Sequence, residues 1–287
     1  MSVSTGHWPL LMATQIQSVP APAADSTTGI IVPAVSLWWR EIVRFYRNRG
    51  RVAGVILSPL LFWVVLGSGF GTSFRSGGTG GGSHYLEYFF PGALTMIVLF
   101  TSIFAMMSVI EDRKEGFLLS VLVAPVHRSV IVLGKVLGGA TLASLQGWIF
   151  LVFTPLLRGA HVGWDNILPI MLTVFLVAFA LTALGFAIAW PMDSAQAFHA
   201  IVNLFLIPLW LLSGALFPLS GASGWIRLLM RLNPLTYGNE ALRALLFPGA
   251  AVLLPVETSL AILAGFSAVM FAWAFLVANR RTTKPAA

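Results

Sequence analysis

Ser223 lies in Gly221-Ala222-Ser223-Gly224, a small-residue setting in which a hydroxyl could serve as a nucleophile. Such chemistry needs a general base beside the serine. The histidines are His7, His84, His127, His161 and His199, so none lies on a later segment. Gly and Ser are also what a turn selects, and Ser223 reads as part of a loop. Metal chemistry fares no better. No two histidines share a helix face, and Asp165, Asp193 and Glu257 fall in separate loops. With no cysteine, thiolate catalysis, disulfides and iron–sulfur ligation are excluded. Gly134-Lys135 is followed by Val136, and Ser129 stands where a phosphate-binding loop needs glycine. The run Gly77-Gly78-Thr79-Gly80-Gly81-Gly82 opens no helix, so it reads as a flexible connection. The sequence therefore predicts no catalytic residue, no metal and no cofactor on this chain.

The elements around these residues explain why. Of 287 residues, 57% are hydrophobic and only 9% charged, with a mean hydropathy of +0.87. A soluble domain carries about 25% charged residues; this chain cannot solvate a water-facing surface. A bilayer-spanning helix takes roughly 20 apolar residues. Uncharged stretches of that order run over 52–70, 88–110, 136–157, 167–190, 200–219 and 258–279. With their flanks they predict six spans, at about 52–70, 88–110, 130–157, 167–190, 200–219 and 256–279. None alternates with period two, which selects a helical bundle over a barrel. The expected fold is thus an all-α integral membrane protein. Residues 37–281 form one domain, between a disordered tail at 1–36 and a short tail at 282–287. The first 39 residues hold no Lys or Arg, so no signal peptide is expected.

The net charge of +7 marks a membrane face, not nucleic acid. Twelve of the 17 basic residues fall on one side of the predicted topology. They are Arg40, Arg44, Arg47, Arg49, Arg51, Arg113, Lys114, Arg128, Lys135, Arg280, Arg281 and Lys284. Positive residues favour the cytoplasm, which places both termini there. Arg40, Arg44, Arg47 and Arg51 recur at helical spacing, with Trp38, Ile42, Phe45 and Tyr46 opposite. That pattern predicts an interfacial amphipathic helix over 37–51, with arginines at lipid headgroups. Between spans five and six, Trp225 to Leu232 and Thr236 to Leu246 are apolar pieces too short to cross. They are expected to re-enter the bilayer and pack on those spans, with Glu240 and Arg243 paired. All ten carboxylates lie outside the uncharged stretches, which points away from proton-coupled transport and toward an external energy source.

Three motifs occur in order. The first is Glu111-Asp112-Arg113-Lys114-Glu115-Gly116-Phe117-Leu118-Leu119, with Ala124-Pro125-Val126-His127-Arg128 and Leu133-Gly134-Lys135 behind it. The second is Leu211-Leu212-Ser213-Gly214-Ala215-Leu216-Phe217-Pro218, and the third Asn233-Pro234-Leu235-Thr236-Tyr237. Together with six spans they resemble the membrane subunit of type-2 ATP-binding-cassette exporters, over about residues 37–281. The resemblance implies a dimer, formed with a second copy or a paralogue, docked on two separate cytosolic ATPase subunits that bind ATP and Mg. It implies that Glu111, Asp112, Arg113, Lys114, Glu115 and Gly116 form the ATPase-coupling helix. Met192, Asp193 and Gln196 would sit in a second coupling loop. Trp38, Arg40, Arg44 and Arg47 belong to the interfacial helix, in contact with membrane lipids.

Thr101, Ser102, Gln146 and Asn203 are polar residues inside spans, suited either to a substrate path or to interhelical hydrogen bonds. Phe62, Trp63, Phe205 and Trp210 suit an amphipathic or lipid-like cargo, or lipid-facing packing. The expected function is export across a bacterial-type plasma (inner) membrane. A polysaccharide or glycolipid exporter, and a six-span scaffold without an ATPase, are the alternatives.

Overall fold

In a computed structural model the chain is described over residues 31–47, 49–69, 85–123 and 127–280. Among the described residues there are ten α-helices: α1 (Ile31–Arg47), α2 (Arg49–Gly69), α3 (Tyr85–Lys114), α4 (Phe117–Val123), α5 (Arg128–Phe150), α6 (Ile167–Ala189), α7 (Ala195–Trp210), α8 (Gly224–Leu232), α9 (Pro234–Leu246) and α10 (Val256–Asn279). There is no strand among the described residues. α5 tightens into a 3₁₀ stretch, Leu151–Leu156, and α7 widens into a π-type turn, Leu211–Ala215. The expected tail at 1–30, the glycine-rich segment 71–84, residues 124–126 and the tail at 281–287 lie outside the described residues.

Among the described residues, five helices are long and apolar enough to cross a bilayer: Tyr85–Lys114, Arg128–Leu156, Ile167–Ala189, Ala195–Ala215 and Val256–Asn279. The remaining expected span, the first at 52–70, falls on α2. That helix has 21 residues, but it opens with two arginines, carries Pro59, and its apolar segment is Pro59–Gly69. Among the described residues, length and composition thus establish five spans and leave the expected sixth unconfirmed. Residues 31–36, expected in the tail, already belong to α1.

α3 is the axis of the fold. Its 30 residues reach about 45 Å, longer than a bilayer core of about 30 Å. Its sides pack on α2, α5, α6, α7 and α9, so it is buried along most of its length, whereas α10 is mostly exposed at the edge. Leu94, Ile97, Ile103 and Met106 of α3 share one buried apolar core with Ala140, Ala143, Val177, Leu181 and Phe186. In lipid this packing is held by close van der Waals fit, which small residues permit. Gly134, Gly138 and Gly139 supply it on α5. A Cβ on Gly134 would sit 2.7 Å from Leu37 Cβ and 3.0 Å from the Ala34 carbonyl; on Gly138 it would sit 2.9 Å from Glu41 Cβ. The small-xxx-small pair Gly134/Gly138 thus seats α1 within the same chain. Gly139 does the same for Thr182 of α6.

Replacing Gly134 by valine should force α1 off α5, because backbone and Cβ atoms cannot yield as a side-chain tip can. Thermal unfolding in detergent should show a large loss. Gly265→Ala, with nothing within 4 Å, is the control. It should leave the midpoint unchanged or raise it, since alanine is the better helix former by up to ~1 kcal/mol. Equal behaviour of the two variants would remove the close contact from the explanation.

Candidate functional site

A dense charged corner forms where α1 crosses the end of α3 and the start of α5. α1 buries Ala34, Leu37, Glu41 and Phe45 along one face. Glu41 lands beside Lys135, whose side chain is 1% exposed. The Lys135 ammonium donates to Glu41 Oε1 at 2.6 Å, to Ser108 Oγ at 3.0 Å, and to Asp112 Oδ2. Its three protons each have an acceptor, which is what burial of an ammonium demands.

Asp112 is fully buried and collects the rest. Arg40 binds it through both nitrogens, at 2.9 and 2.8 Å, and Arg44 adds a third contact at 2.5 Å. With Lys135 that makes four donors for a carboxylate with about four lone-pair sites. The hydrogen bond to Asp112 raises the Arg40 pKa, so this guanidinium stays charged. Arg44 also reaches Glu111 at 2.9 Å and Glu115 at 3.4 Å. Arg40 stacks on the Phe117 ring at 3.7 Å, fixing the first residue of α4.

The six residues expected to form the coupling helix are therefore not a helix of their own. Glu111, Asp112, Arg113 and Lys114 are the last turn of α3; the chain reverses at Glu115-Gly116, and the short helix that follows is the apolar α4. Gly116 sits at φ 77°, the left-handed conformation that ends a helix and favours glycine. Of the six residues, Asp112 has no surface left for a partner. Lys114 and Glu115 face solvent, and Glu111 is part-exposed. Arg113 turns sideways to the α6–α7 loop. It donates to the Met192 carbonyl at 2.9 Å, to Asp193 Oδ1 at 3.1 Å and to the Trp190 carbonyl. The two segments singled out in the sequence, 111–116 and 192–196, are thus tied by one guanidinium. Asp193 and Gln196 are exposed and Met192 half-buried.

The arginines of α1 differ from expectation in what they face. Arg40 and Arg44 spend their charge on α3 carboxylates, and only Arg47 of these three is open to solvent. Trp38 donates to Thr141 Oγ1 at 3.0 Å, and Phe45 is buried. The exposed apolar stripe of α1 is instead Val32, Val35, Trp39, Val43 and Tyr46. From the sequence, Lys135 reads only as a basic residue of one membrane face, and Glu41 has no role. The signal was present: a lone lysine inside the apolar stretch 130–157 needs a carboxylate partner.

At the other end of α3, the turn after α7 leaves carbonyls without helical donors, and side chains take them. Gly214, at φ 77°, makes the reversal. Its carbonyl accepts from Tyr88 at 2.9 Å and Arg243 at 3.0 Å. Ser213 accepts from Asn239, Leu216 from Tyr85, and Leu209 from Asn233. Arg243 pairs with Glu240 at 2.7 Å and lies over the Tyr88 ring at 4.3 Å. The second and third motifs are therefore one structure, the turn and the clamp that satisfies it.

Beside this turn, α2, α3 and α7 enclose an apolar cleft of about 330 Å³. Phe62, Leu66, Phe100, Ile207, Trp210 and Leu216 line it. Of the polar residues in spans, Thr101 pairs with Gln146, Ser102 donates to the Ala178 carbonyl at 3.2 Å, and all three are buried between helices. Asn203 is exposed on α7. Trp63 is core, donating to the Leu86 carbonyl at 3.0 Å, while Phe205 is exposed.

The corner predicts a ranking of stabilities. Asp112→Asn removes the buried anion that Lys135, Arg40 and Arg44 share, and breaking a buried pair costs about 3–5 kcal/mol. Lys135→Met should cost less, since both arginines still serve Asp112. Glu115→Gln, at 60% side-chain exposure, should cost no more than about 1 kcal/mol. Thermal unfolding of the three variants in one detergent checks the order; Glu115→Gln falling below Asp112→Asn would refute it.

Residues 34–247 match the family model described as ABC-2 type transporter. The chain is 28% identical to a putative transport permease ycf38 of Cyanophora paradoxa over 72% of this chain and 71% of that one. It is 25% identical to nodulation protein J of Neorhizobium galegae, covering 73% and 79%. It is 23% identical to the daunorubicin resistance ABC transporter permease protein DrrB1 of Streptomyces coeruleorubidus, covering 80% of each. A bundle of apolar helices, a satisfied turn at one end and a charged corner at the other accompany a family match over most of the sequence: the chain belongs to the ABC-2 type transporters, as their multi-pass membrane permease subunit.

Proposed function

We propose that this permease is the membrane half of an exporter. It pairs with a second permease copy or a paralogue and docks cytosolic ATP-binding-cassette ATPase subunits. It moves an amphipathic, drug-like or lipid-like molecule out of the cytoplasm or inner leaflet of a bacterial-type plasma membrane. ATP and Mg belong to the partner, and this chain contributes no catalytic group. α2 acts as the sixth span, which puts both termini in the cytoplasm.

The observation that carries the reading is the corner welded by Asp112 and Arg113. It presents Lys114, Glu115, Asp193 and Gln196 to solvent from two loops that share one guanidinium. A partner pressing on those residues pushes on α3, α1 and α6 together, because buried ion pairs and a fixed turn leave little slack. The cleft supports the cargo class. Its volume of about 330 Å³ and its apolar lining suit a compact amphiphile. A sugar polymer would need a wider, polar-rimmed channel.

The test is co-purification with ATP-binding-cassette ATPase subunits from the same organism, followed by hydrolysis in proteoliposomes. Lys114→Ala with Glu115→Ala should weaken ATPase capture about tenfold, a modest interface effect, while lowering stability by no more than the ~1 kcal/mol of an exposed ion pair. Failure of the wild type to capture any ATPase sinks the exporter; capture unaffected by the pair sinks the coupling assignment. Ile207→Trp should fill the cleft. With daunorubicin as probe, stimulated hydrolysis should then fall to the basal rate while basal hydrolysis persists.

A further inference from the structure

α1 has three distinct faces. One is packed on α5. A second, the stripe of Val32, Val35, Trp39, Val43 and Tyr46, is exposed at 70, 52, 58, 40 and 42%. Along the edge between them run Arg40, Arg44 and Arg47, at spacings of one helical turn. Where the stripe meets this row there is an open groove of about 500 Å³. Ser36, Trp39, Val43 and the three arginines line it, and Glu115 closes one side.

The geometry points to this groove as a binding site for an anionic phospholipid. The phosphate lies against Arg44 and Arg47, and the acyl chains run along Val32, Val35, Trp39 and Val43. Two features on the same helix select that occupant. A soluble acidic protein would answer the arginines but leave the apolar stripe in water. A second copy of this chain would cover the stripe but bring an identical row of guanidinium groups. A lipid with a charged headgroup satisfies both, and a basic row beside an apolar face is how helices read anionic membranes.

The site also touches the charged corner. Arg44 holds Asp112 at 2.5 Å and Glu111 at 2.9 Å, but Glu115 only at 3.4 Å. A phosphate in the groove displaces Glu115, the weakest of the three, and leaves the buried contacts in place. Headgroup occupancy thereby frees a carboxylate beside the α3–α4 turn. The lipid site does not depend on the exporter reading, because it needs only this chain and a bilayer.

The chain has no cysteine, so Ser36→Cys introduces a unique thiol in the groove. The full-length variant carries a bimane label there and is reconstituted in phosphatidylcholine vesicles. Doxyl-labelled phosphatidylglycerol or doxyl-labelled phosphatidylcholine is then titrated in as the quencher. Quenching by phosphatidylglycerol should appear at a several-fold lower mole fraction. Arg47→Gln should reduce that preference about fivefold, the weight of one arginine near a charged surface, and Arg47→Lys should keep it. Equal quenching by the two lipids overturns the proposal. So does no quenching by either, which would mean that protein covers the face, and so does a preference that survives Arg47→Gln.

Discussion

The carboxylate of Asp112 sits at the end of the longest helix, out of reach of water, and has to be neutralised where it is. Charge buried at a membrane edge is tolerable only if every lone pair and proton is spent. Asp112 meets that condition through residues of two other helices: Arg40 and Arg44 on α1, and Lys135 on α5. Much of the local architecture follows from it. α1 must lie close enough to α5 for Glu41 to reach Lys135, and that closeness in turn requires glycine at 134 and 138. Arg40, held flat by its two-pronged contact, becomes the platform on which Phe117 starts α4.

The same logic governs the opposite end with uncharged groups. A helix that stops within the membrane's reach exposes carbonyls, and lipid offers no donor for them. The turn at Gly214 solves this with side chains from three elements: Tyr85 and Tyr88 on α3, Asn239 and Arg243 on α9, and Asn233 at the α8–α9 junction. Arg243 does two things there, donating to the turn and cancelling Glu240, whose other oxygen accepts the Leu253 amide at 2.8 Å. A polar clamp of this kind orders the segment between α7 and α10 without any of it crossing the bilayer.

How much of this was legible in the sequence follows from the range of the interactions. α10 appears where its apolar stretch begins and ends. The break between α8 and α9 is encoded locally: Asn233 caps the helix by accepting from the Leu235 amide, and Pro234 occupies the first turn. The pairing of Glu240 with Arg243, three residues apart, was legible for the same reason. What could not be read were partners distant in sequence. Lys135 looked like one more positive marker of a membrane face, because Glu41 lies 94 positions away. Asp112 read as one more residue of the coupling helix, because its cations come from elements that only the fold brings together. The start of the first expected span was not legible either, since an uncharged stretch does not reveal that its helix begins earlier, with arginines, and carries a proline.

These two ends are joined by α3, and that connection limits how the subunit can move. In the described structure, α3 runs without interruption from the Tyr85–Tyr88 clamp to Asp112. Between them its sides are packed against apolar neighbours, with Thr101–Gln146 and Ser102–Ala178 as direct ties to α5 and α6. Interiors packed at such density transmit displacement instead of absorbing it. Bending α3 alone would open that packing, and breaking the corner would expose a buried carboxylate and ammonium together. The less costly displacement carries α1, α3 and α5 as one body and lets the change fall on the thinly packed elements. Those are α2, whose outer face is exposed at Leu57, Leu61 and Phe62, and α7, exposed at Leu204 and Phe205. Both helices border the apolar cleft, so a rigid-body shift of the central helices would change the size of that cleft while the charged corner stayed intact.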